Sequence, residues 1–217
     1  MIKALDYAAQ ICYSSRRVLQ FSHDIAAKYK DLPNTCMLEA GVAAGAQIIA
    51  LMEGSECKVP IYALDSFSGI PLPSNRDNQM PGISFLTKAE QMALPDPGKQ
   101  ALVSSGATIV SEYDFWQHID TVFGPRKHNV KTVKGWFEET LPTFECPPIS
   151  VLRLDGDLYN STYVCLKYLY SRVIKGGILI LDDIQLPGCR SACDDYFNSI
   201  GFTPTYQYVD NVAYFIK

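Results

Sequence analysis

Two pairs of aspartates are the residues of this sequence whose type and spacing most clearly suggest chemistry. Asp155 and Asp157 follow one apolar run, and Asp182 and Asp183 follow the next. Like charges that converge raise each other's pKa unless a cation neutralises them, and carboxylate oxygens suit Mg²⁺. A single aspartate in such a position is usually a solvated strand end or a helix cap. Two pairs after successive strands instead favour a ligand site with a divalent metal.

The elements that must bring these pairs together form a strand–helix–strand unit between residues 149 and 183. Ile149–Leu154 and Ile178–Leu181 are apolar runs typical of buried parallel strands. We expect Asn160–Thr162 to supply the N-cap oxygens of the helix and Gly176-Gly177 to end it. A right-handed crossover would place both strand ends at one edge of the sheet, where open α/β sheets bind their ligands.

A strand–turn–helix–strand pattern precedes this unit and ends at Asp65. Gly41 and Gly45 would let the backbone approach a ligand, and Asp65 is placed to accept hydrogen bonds from ribose hydroxyls. Glu39 stands where the dinucleotide fingerprint has its first glycine. An acid at this position suits a ligand with an amino group or a positive charge, such as S-adenosylmethionine, better than it suits a pyrophosphate.

The remaining sequence predicts one α/β domain over residues 1–217 with an irregular insertion. The proline-rich segment 70–110 leaves the carboxyl end of the second strand, so we expect a lid or a substrate loop there. Trp136 follows a third strand and, on base rates, packs in the core rather than stacking on an adenine. The other expected elements are an N-terminal helical segment (1–30), a short helix near 84–93, a helix (111–123), the third strand (129–133), a helix (189–200) and a hairpin (203–209 and 212–216).

Composition narrows the class of protein. The chain has 217 residues, of which 47% are hydrophobic and 19% charged, as in soluble globular proteins. A net charge of −4 without a long basic run argues against nucleic acid or an anionic membrane as a partner. The seven cysteines lack metal-ligand spacing and are expected to be reduced thiols. No apolar run reaches the roughly 18 residues of a membrane span and no secretory signal is recognisable, so we expect a cytoplasmic protein.

Six stretches of the sequence resemble the macrocin O-methyltransferase family, class I S-adenosylmethionine-dependent enzymes that methylate sugar hydroxyls in antibiotic biosynthesis. The specific part is LRLDGDLYNST followed by LDD, whereas the glycine turn is common to many proteins. The stretches lie in the family's order and cover the chain from about residue 30 onwards: LEAGVAAG (38–45), LDSFSGIP (64–71), VKGWFEETLP (133–142), LRLDGDLYNST (152–162), GGILILDDI (176–184) and GCRSACDDYF (188–197).

The resemblance implies a Rossmann-like class I methyltransferase fold, with a seven-stranded, mostly parallel sheet, an antiparallel last strand and helices on both faces. It implies that Asp155, Asp182 and Asp183 hold Mg²⁺ or another divalent cation and that Asp155 serves as or assists the general base. Asp157 is assigned no ligand role. The resemblance also implies an S-adenosylmethionine site formed by Glu39, Gly41, Gly45, Asp65, Ser66, Gly135 and Trp136.

The expected reaction is an in-line methyl transfer from the sulfonium to a hydroxyl of a small-molecule acceptor, a sugar or another vicinal diol. Two other interpretations remain open. Asp155-Gly156-Asp157 could be the D-x-D motif of a metal-dependent nucleotide-sugar glycosyltransferase, although Glu39 and the second aspartate pair would then have no role. The chain could also be a non-catalytic S-adenosylmethionine-binding protein whose carboxylates only cap strand ends. The oligomeric state is open under every interpretation, and the N-terminal helix could serve a homodimer contact.

Overall fold

Seven strands form one sheet in the computed structural model, which describes residues 3–77, 88–125 and 129–217. The strands are β1 (Cys36–Ala40), β2 (Ile61–Asp65), β3 (Val130–Lys134), β4 (Ile149–Leu154), β5 (Val173–Leu181), β6 (Gln207–Val209) and β7 (Val212–Ile216). Their order is β3-β2-β1-β4-β5-β7-β6. The first five pair in parallel, β7 pairs antiparallel with β5, and β6 pairs antiparallel with β7. The predicted fold, including the antiparallel last strand, is confirmed.

Helices cover both faces of this sheet. They are α1 (Ala4–Ile11), α2 (Arg16–Tyr29), α3 (Ala46–Gly54), α5 (Glu112–Phe123), α6 (Phe137–Thr140), α7 (Tyr159–Leu169) and α8 (Pro187–Ser199), and α4 (Lys88–Met92) lies in the insertion outside both core clusters of the described residues. Met37 and Val151 belong to a core with α1, α2, α3 and α5, whereas Leu38 and Leu152 belong to a second core with α6, α7 and α8. Successive strand residues point to opposite faces, which explains why β1 and β4 are buried along their whole length.

The N-terminal segment contains two helices where the sequence predicted one continuous helical stretch. α1 ends at Ile11, and α2 begins after Ser15, whose hydroxyl oxygen accepts a hydrogen bond from the N–H of Val18. Serine is a favoured N-cap residue because it satisfies an otherwise unpaired helical N–H. The connector between the two helices, residues 12–15, reaches the cavity described below.

The helix between the two aspartate pairs begins and ends earlier than predicted. α7 starts at Tyr159, and its N-cap residue Leu158 offers no side-chain oxygen. The prediction that Asn160–Thr162 caps the helix is therefore wrong, because these residues lie within its first turn. Gly176-Gly177 lies inside β5 and does not end a helix. Its N–H and C=O groups pair with Lys217 and so continue the ladder between β5 and β7.

The other predicted elements are confirmed with shifted ends. The helix at 111–123 and the strand at 129–133 each begin one residue later than expected, and β6 is shorter than 203–209. Within the predicted helix at 84–93, α4 is described and residues 84–87 lie outside the described part of the chain. None of the described helices is long and apolar enough to cross a bilayer. All seven cysteines are free thiols.

Candidate active site

A cavity of about 400 Å³ opens where the carboxyl ends of β1, β2, β4 and β5 meet. This is the edge at which open α/β sheets bind ligands. Of the predicted site residues, Gly45 does not line the cavity. The others do, and so does Asp157: Glu39, Gly41, Asp65, Ser66, Gly135, Trp136, Asp155, Asp182 and Asp183.

Backbone hydrogen bonds hold the strand ends together just before they diverge. The N–H of Asp155 donates to the carbonyl of Ala40 at 2.8 Å, and the N–H of Asp182 donates to the carbonyl of Leu154 at 2.9 Å. The N–H of Gly41 donates to Leu64 in the same way. Adjacent strands lie only about 4.8 Å apart, so these bonds bring the two aspartate pairs and the glycine turn into one site.

In the glycine turn after β1, position 41 has no room for a side chain larger than a hydrogen atom. Gly41 has φ +89°, and a Cβ atom there would lie 1.7 Å from the backbone oxygen of Asp155. Gly45 has φ +86° and is the N-cap residue of α3. A Cβ atom at Gly45 would lie 2.9 Å from the ring of Phe115. Gly45 therefore faces Phe115, which explains why it does not line the cavity.

Asp65 fixes this turn through its side chain. Its Oδ2 accepts hydrogen bonds from the N–H groups of Val42 (2.8 Å) and Ala43 (3.0 Å), and its Oδ1 accepts one from Phe67 at 2.7 Å. A carboxylate has about four acceptor positions, so capacity remains for one further donor. The predicted contact with a ribose hydroxyl thus remains compatible with the observed bonds, and the sequence did not predict the turn-holding role.

The carboxylates of Asp155, Asp157 and Asp183 form a cluster at the other end of the cavity. Each contributes one oxygen, and these oxygens all lie within 4.8 Å of one another. The N–H of Asp157, which has a left-handed φ of 60°, donates to Asp183 Oδ2 at 3.1 Å. Oxygen-only ligands at this spacing suit a divalent cation such as Mg²⁺.

The pKa values of the clustered aspartates also favour a bound cation. Burial and the charge of Asp155 raise the pKa of Asp157 to about 7. The same two causes, with Asp157 and Asp182 contributing further, raise the pKa of Asp183 well above its usual value. Carboxylates that resist ionisation because they are buried together are the arrangement that a bound cation relieves. The residues present therefore fit a divalent metal.

Arg153 is a residue beside the site that the sequence did not predict, because the apolar character of Ile149–Leu154 predicts only a buried strand. Its guanidinium is fully buried and bonds Glu39 at 2.7 Å, Asp155 at 2.7 Å and Asp182 at 2.5 Å. Arg153 precedes Asp155 by two residues and therefore shares its face of the sheet. That spacing was the available signal.

Burial and the contact with Arg153 have opposite effects on the pKa values of Glu39 and Asp182. Burial raises the pKa of Glu39 to about 8, and Arg153 counteracts the rise. Burial also raises the pKa of Asp182 to about 6, again against Arg153. Glu39 Oε2 is buried in the cavity wall without a hydrogen-bond partner among the described residues. A buried acceptor without a partner is costly, so Glu39 is ready for a ligand donor.

Three further wall residues follow β2 and β3. Trp136 is half-buried and lines the cavity, so the expectation that it packs in the core is wrong. The N–H of Gly135 donates to the carbonyl of Asp65 at 3.0 Å, which ties the ends of β3 and β2 together. The hydroxyl of Ser66 donates to the carbonyl of Gly69 at 3.0 Å. Ser66 therefore stabilises the start of the insertion beside the cavity.

Residues near both ends of the described chain also line the cavity. Tyr13 and Ser14 of the α1–α2 connector and Asn211 of the β6–β7 turn all line it. Asp210 joins the two segments, because it accepts hydrogen bonds from Ser15 at 2.5 Å and from Arg17 at 3.0 Å. Residues so distant in sequence carry no local signal of proximity, and sequence reasoning did not place them in the site.

The sheet order, the glycine turn and the acidic edge define a class I S-adenosylmethionine-dependent methyltransferase fold. Among solved structures, the O-methyltransferase NovP is 24% identical, covers 94% of this chain with 80% of its own, and superposes with a TM-score of 0.70. The calicheamicin methyltransferase CalS11 is 18% identical over 95% of this chain and 80% of its own, with a TM-score of 0.67.

The chain belongs to the macrocin O-methyltransferase (TylF) family, whose model matches residues 8–217. It is therefore an O-methyltransferase. The mycinamicin III 3''-O-methyltransferase of Micromonospora griseorubida is 28% identical over 193 residues, which are 87% of this chain and 70% of that relative. The demethyldecarbamoylnovobiocin O-methyltransferase of Streptomyces niveus is 47% identical over 68 residues, only 31% of this chain and 26% of that relative.

Proposed function

We propose that this O-methyltransferase transfers the methyl group of S-adenosylmethionine to a hydroxyl of a sugar or another vicinal diol, with the help of a divalent cation. The observation that carries the proposal is a cavity that joins Glu39, a buried acid with one unpartnered oxygen, to the cluster of Asp155, Asp157 and Asp183. One end suits a cationic cofactor and the other suits a metal-bound diol.

The cofactor end comprises the glycine turn, Glu39, Asp65 and Trp136. Glu39 Oε2 would accept from the ammonium of S-adenosylmethionine, and Asp65 would accept from a ribose hydroxyl. Trp136, at the end of the outer strand β3, would lie beside the adenine. The order of these residues along the edge follows the order of strands β1, β2 and β3, and it matches the order of the amino-acid and nucleoside parts of the cofactor.

The metal end would use Asp155 and Asp183, which belong both to the predicted ligand set and to the observed cluster. The third ligand differs between the two sets. Asp182 was predicted but is not in the cluster, whereas Asp157 was not predicted and is in it. Each has a carboxylate oxygen that could coordinate a cation, and their separate replacement decides between them.

The reaction is a displacement in line with the breaking bond. Bound S-adenosylmethionine would supply the methyl group: the acceptor oxygen would bond to the methyl carbon as the carbon–sulfur bond breaks, which would leave S-adenosylhomocysteine as a neutral thioether. A bound divalent cation would lower the pKa of the acceptor hydroxyl. Asp155, which is partly exposed to the cavity, takes the hydroxyl proton as general base. The residues of the cofactor end and of the metal end would hold the methyl donor and the acceptor hydroxyl in line, and this orientation would supply much of the rate enhancement.

The proposed class of acceptor is inferred from the substrates that the relatives' names give and from the residues that line the cavity. The two relatives act on mycinamicin III and on demethyldecarbamoylnovobiocin by their names, and an acceptor with two neighbouring oxygens suits a cation with two open positions. Gly69, Ile70, Pro71 and Thr108 line the cavity at both ends of the insertion. We therefore also propose that the described ends of segment 70–110 help to enclose the acceptor. Residues 78–87 lie outside the described part of the chain.

Calorimetry and a methyl-transfer assay test the proposal. We expect S-adenosylhomocysteine to bind, a uridine diphosphate sugar not to bind, and radiolabelled methyl to reach glycosidic diols only when a divalent cation is present. Binding of the nucleotide sugar alone would favour the glycosyltransferase, which membership of an O-methyltransferase family already disfavours. Cofactor binding without transfer to any diol would favour a non-catalytic protein. Light scattering tests the predicted homodimer.

A further inference from the structure

Arg153 occupies a position from which one side chain can control both ends of the cavity. It lies on β4 directly opposite Glu39 of β1, and on its other side it pairs in register with Ile180 of β5. Asp155 and Asp182 each lie two residues further along their strands. A period of two keeps all these side chains on one face of the sheet, so the contacts of Arg153 follow from strand register.

The burial of Arg153 makes these contacts obligatory. A charged group out of water is tolerated only when it is paired and hydrogen-bonded. Nη1 of Arg153 bonds Glu39 Oε1 and Asp155 Oδ2, and Nη2 bonds Asp182 Oδ1. The guanidinium is planar and its donors are fixed as a fork, so it sets the direction of each carboxylate that it binds.

We propose that Arg153 is a positioning residue that couples the cofactor acid to the acceptor-activating acids. By engaging one oxygen of Glu39, it leaves Oε2 as the free acceptor in the cavity wall. By engaging one oxygen each of Asp155 and Asp182, it leaves their other oxygens for cation and proton. This inference rests on the proposed function, because it assumes a cation near Asp155 and a cofactor near Glu39.

A lysine at position 153 separates positioning from charge. An ammonium keeps the positive charge but lacks the planar fork, so it cannot hold three carboxylates in their observed directions. In Arg153→Lys we expect the dissociation constants of S-adenosylhomocysteine and of Mn²⁺ each to rise by about tenfold or more, which corresponds to about 1.4 kcal/mol for each ligand. Calorimetry measures the first constant, and the electron paramagnetic resonance signal of free Mn²⁺ measures the second.

A merely structural role would leave these affinities unchanged. The matched control is Ser150→Ala, because Ser150 is also buried on β4 and its hydroxyl donates to the carbonyl of Cys36 on β1, away from the cavity. We expect this variant to lower the melting temperature while both affinities stay at the level of the unmodified protein. Unchanged affinities in a folded Arg153→Lys variant would overturn the proposal.

The coupling itself has a separate test that does not depend on folding of the lysine variant. Glu39 is not a member of the carboxylate cluster, yet Glu39→Gln should free Arg153 to bind Asp155 more tightly. We expect Mn²⁺ affinity to fall by about threefold or more in Glu39→Gln. An unchanged Mn²⁺ affinity would overturn the coupling. If the unmodified protein failed to bind S-adenosylhomocysteine, the proposed function itself would be wrong.

Discussion

The carboxylate of Asp77 accepts a hydrogen bond at 2.8 Å from the backbone N–H of Tyr159, the first residue of α7. Asp77 is fully buried, and its second oxygen accepts from the N–H and hydroxyl of Ser74 at 2.9 and 2.7 Å. An acid at a helix N-terminus satisfies a free N–H and complements the helix dipole. A residue 82 positions upstream therefore performs the capping role that the sequence assigned to residues beside the helix.

Replacement of Asp77 by alanine should destabilise the protein. It removes three hydrogen bonds and leaves the N–H of Tyr159 buried without a partner, so we expect a loss of about 2–4 kcal/mol in the free energy of unfolding. Urea denaturation measures this loss. Asp96→Ala is the control, because Asp96 lies in the same insertion but is exposed. An equal effect of both replacements would contradict the buried role of Asp77.

Replacement of Asp155 by asparagine should abolish most of the methyl transfer while the fold remains intact. The general base is lost, and its loss is expected to lower kcat by about 10²- to 10⁴-fold. Asp24→Asn, on the exposed side of α2, should retain full activity. Circular dichroism checks the fold, and a wild-type rate in Asp155→Asn would refute its assignment as the base.

The third metal ligand can be found by comparing Asp157→Asn with Asp182→Asn. The replacement that removes a ligand should weaken Mn²⁺ binding by about tenfold or more, as loss of a coordinating carboxylate does. The replacement of a non-ligand should have a smaller effect on affinity. Equal and small effects of both would show that only Asp155 and Asp183 hold the cation.

Stabilisation by Mg²⁺ should increase as pH rises. Burial raises the pKa of Asp157 from 3.8 to about 7, so the folded protein binds this proton more tightly than the unfolded chain. The free energy of unfolding therefore falls as pH rises between these values. A cation that binds the ionised cluster reverses this loss. We expect Mg²⁺ to raise the melting temperature more near pH 8 than near pH 5, and equal shifts would count against a metal at this cluster.

Replacement of Gly41 by alanine should cost far more stability than replacement of Gly201. Both have positive φ, +89° and +65°, but only the Cβ at position 41 would meet a backbone oxygen, that of Asp155, at 1.7 Å. At Gly201 nothing lies within 4 Å, so only the backbone strain of about 1 kcal/mol applies. Thermal denaturation of the two variants provides the comparison, and similar losses would show that the turn after β1 can move away from β4.

The fold class and most residues of the cavity wall could be predicted from the amino-acid sequence. Buried runs such as Ile149–Leu154 and the acids that follow them reveal strands and their functional edge, because side-chain periodicity and residue type are local properties. Residue type and position along the chain therefore suffice to predict that Glu39, Asp65 and Asp155 meet in one site, and the cavity contains all three.

The partners of the individual carboxylates could not be predicted from the sequence and are known from the folded structure alone. Asp182 is bound to Arg153, Asp157 lies in the cluster with Asp183, and Asp77 caps α7. Each of these contacts depends on strand register or on the meeting of chain segments that are far apart in sequence. Residue type alone predicts neither the register nor such long-range contacts. A few ångströms decide whether each oxygen of a buried acid meets an arginine or faces the carboxylate cluster, and only the packed fold sets those distances.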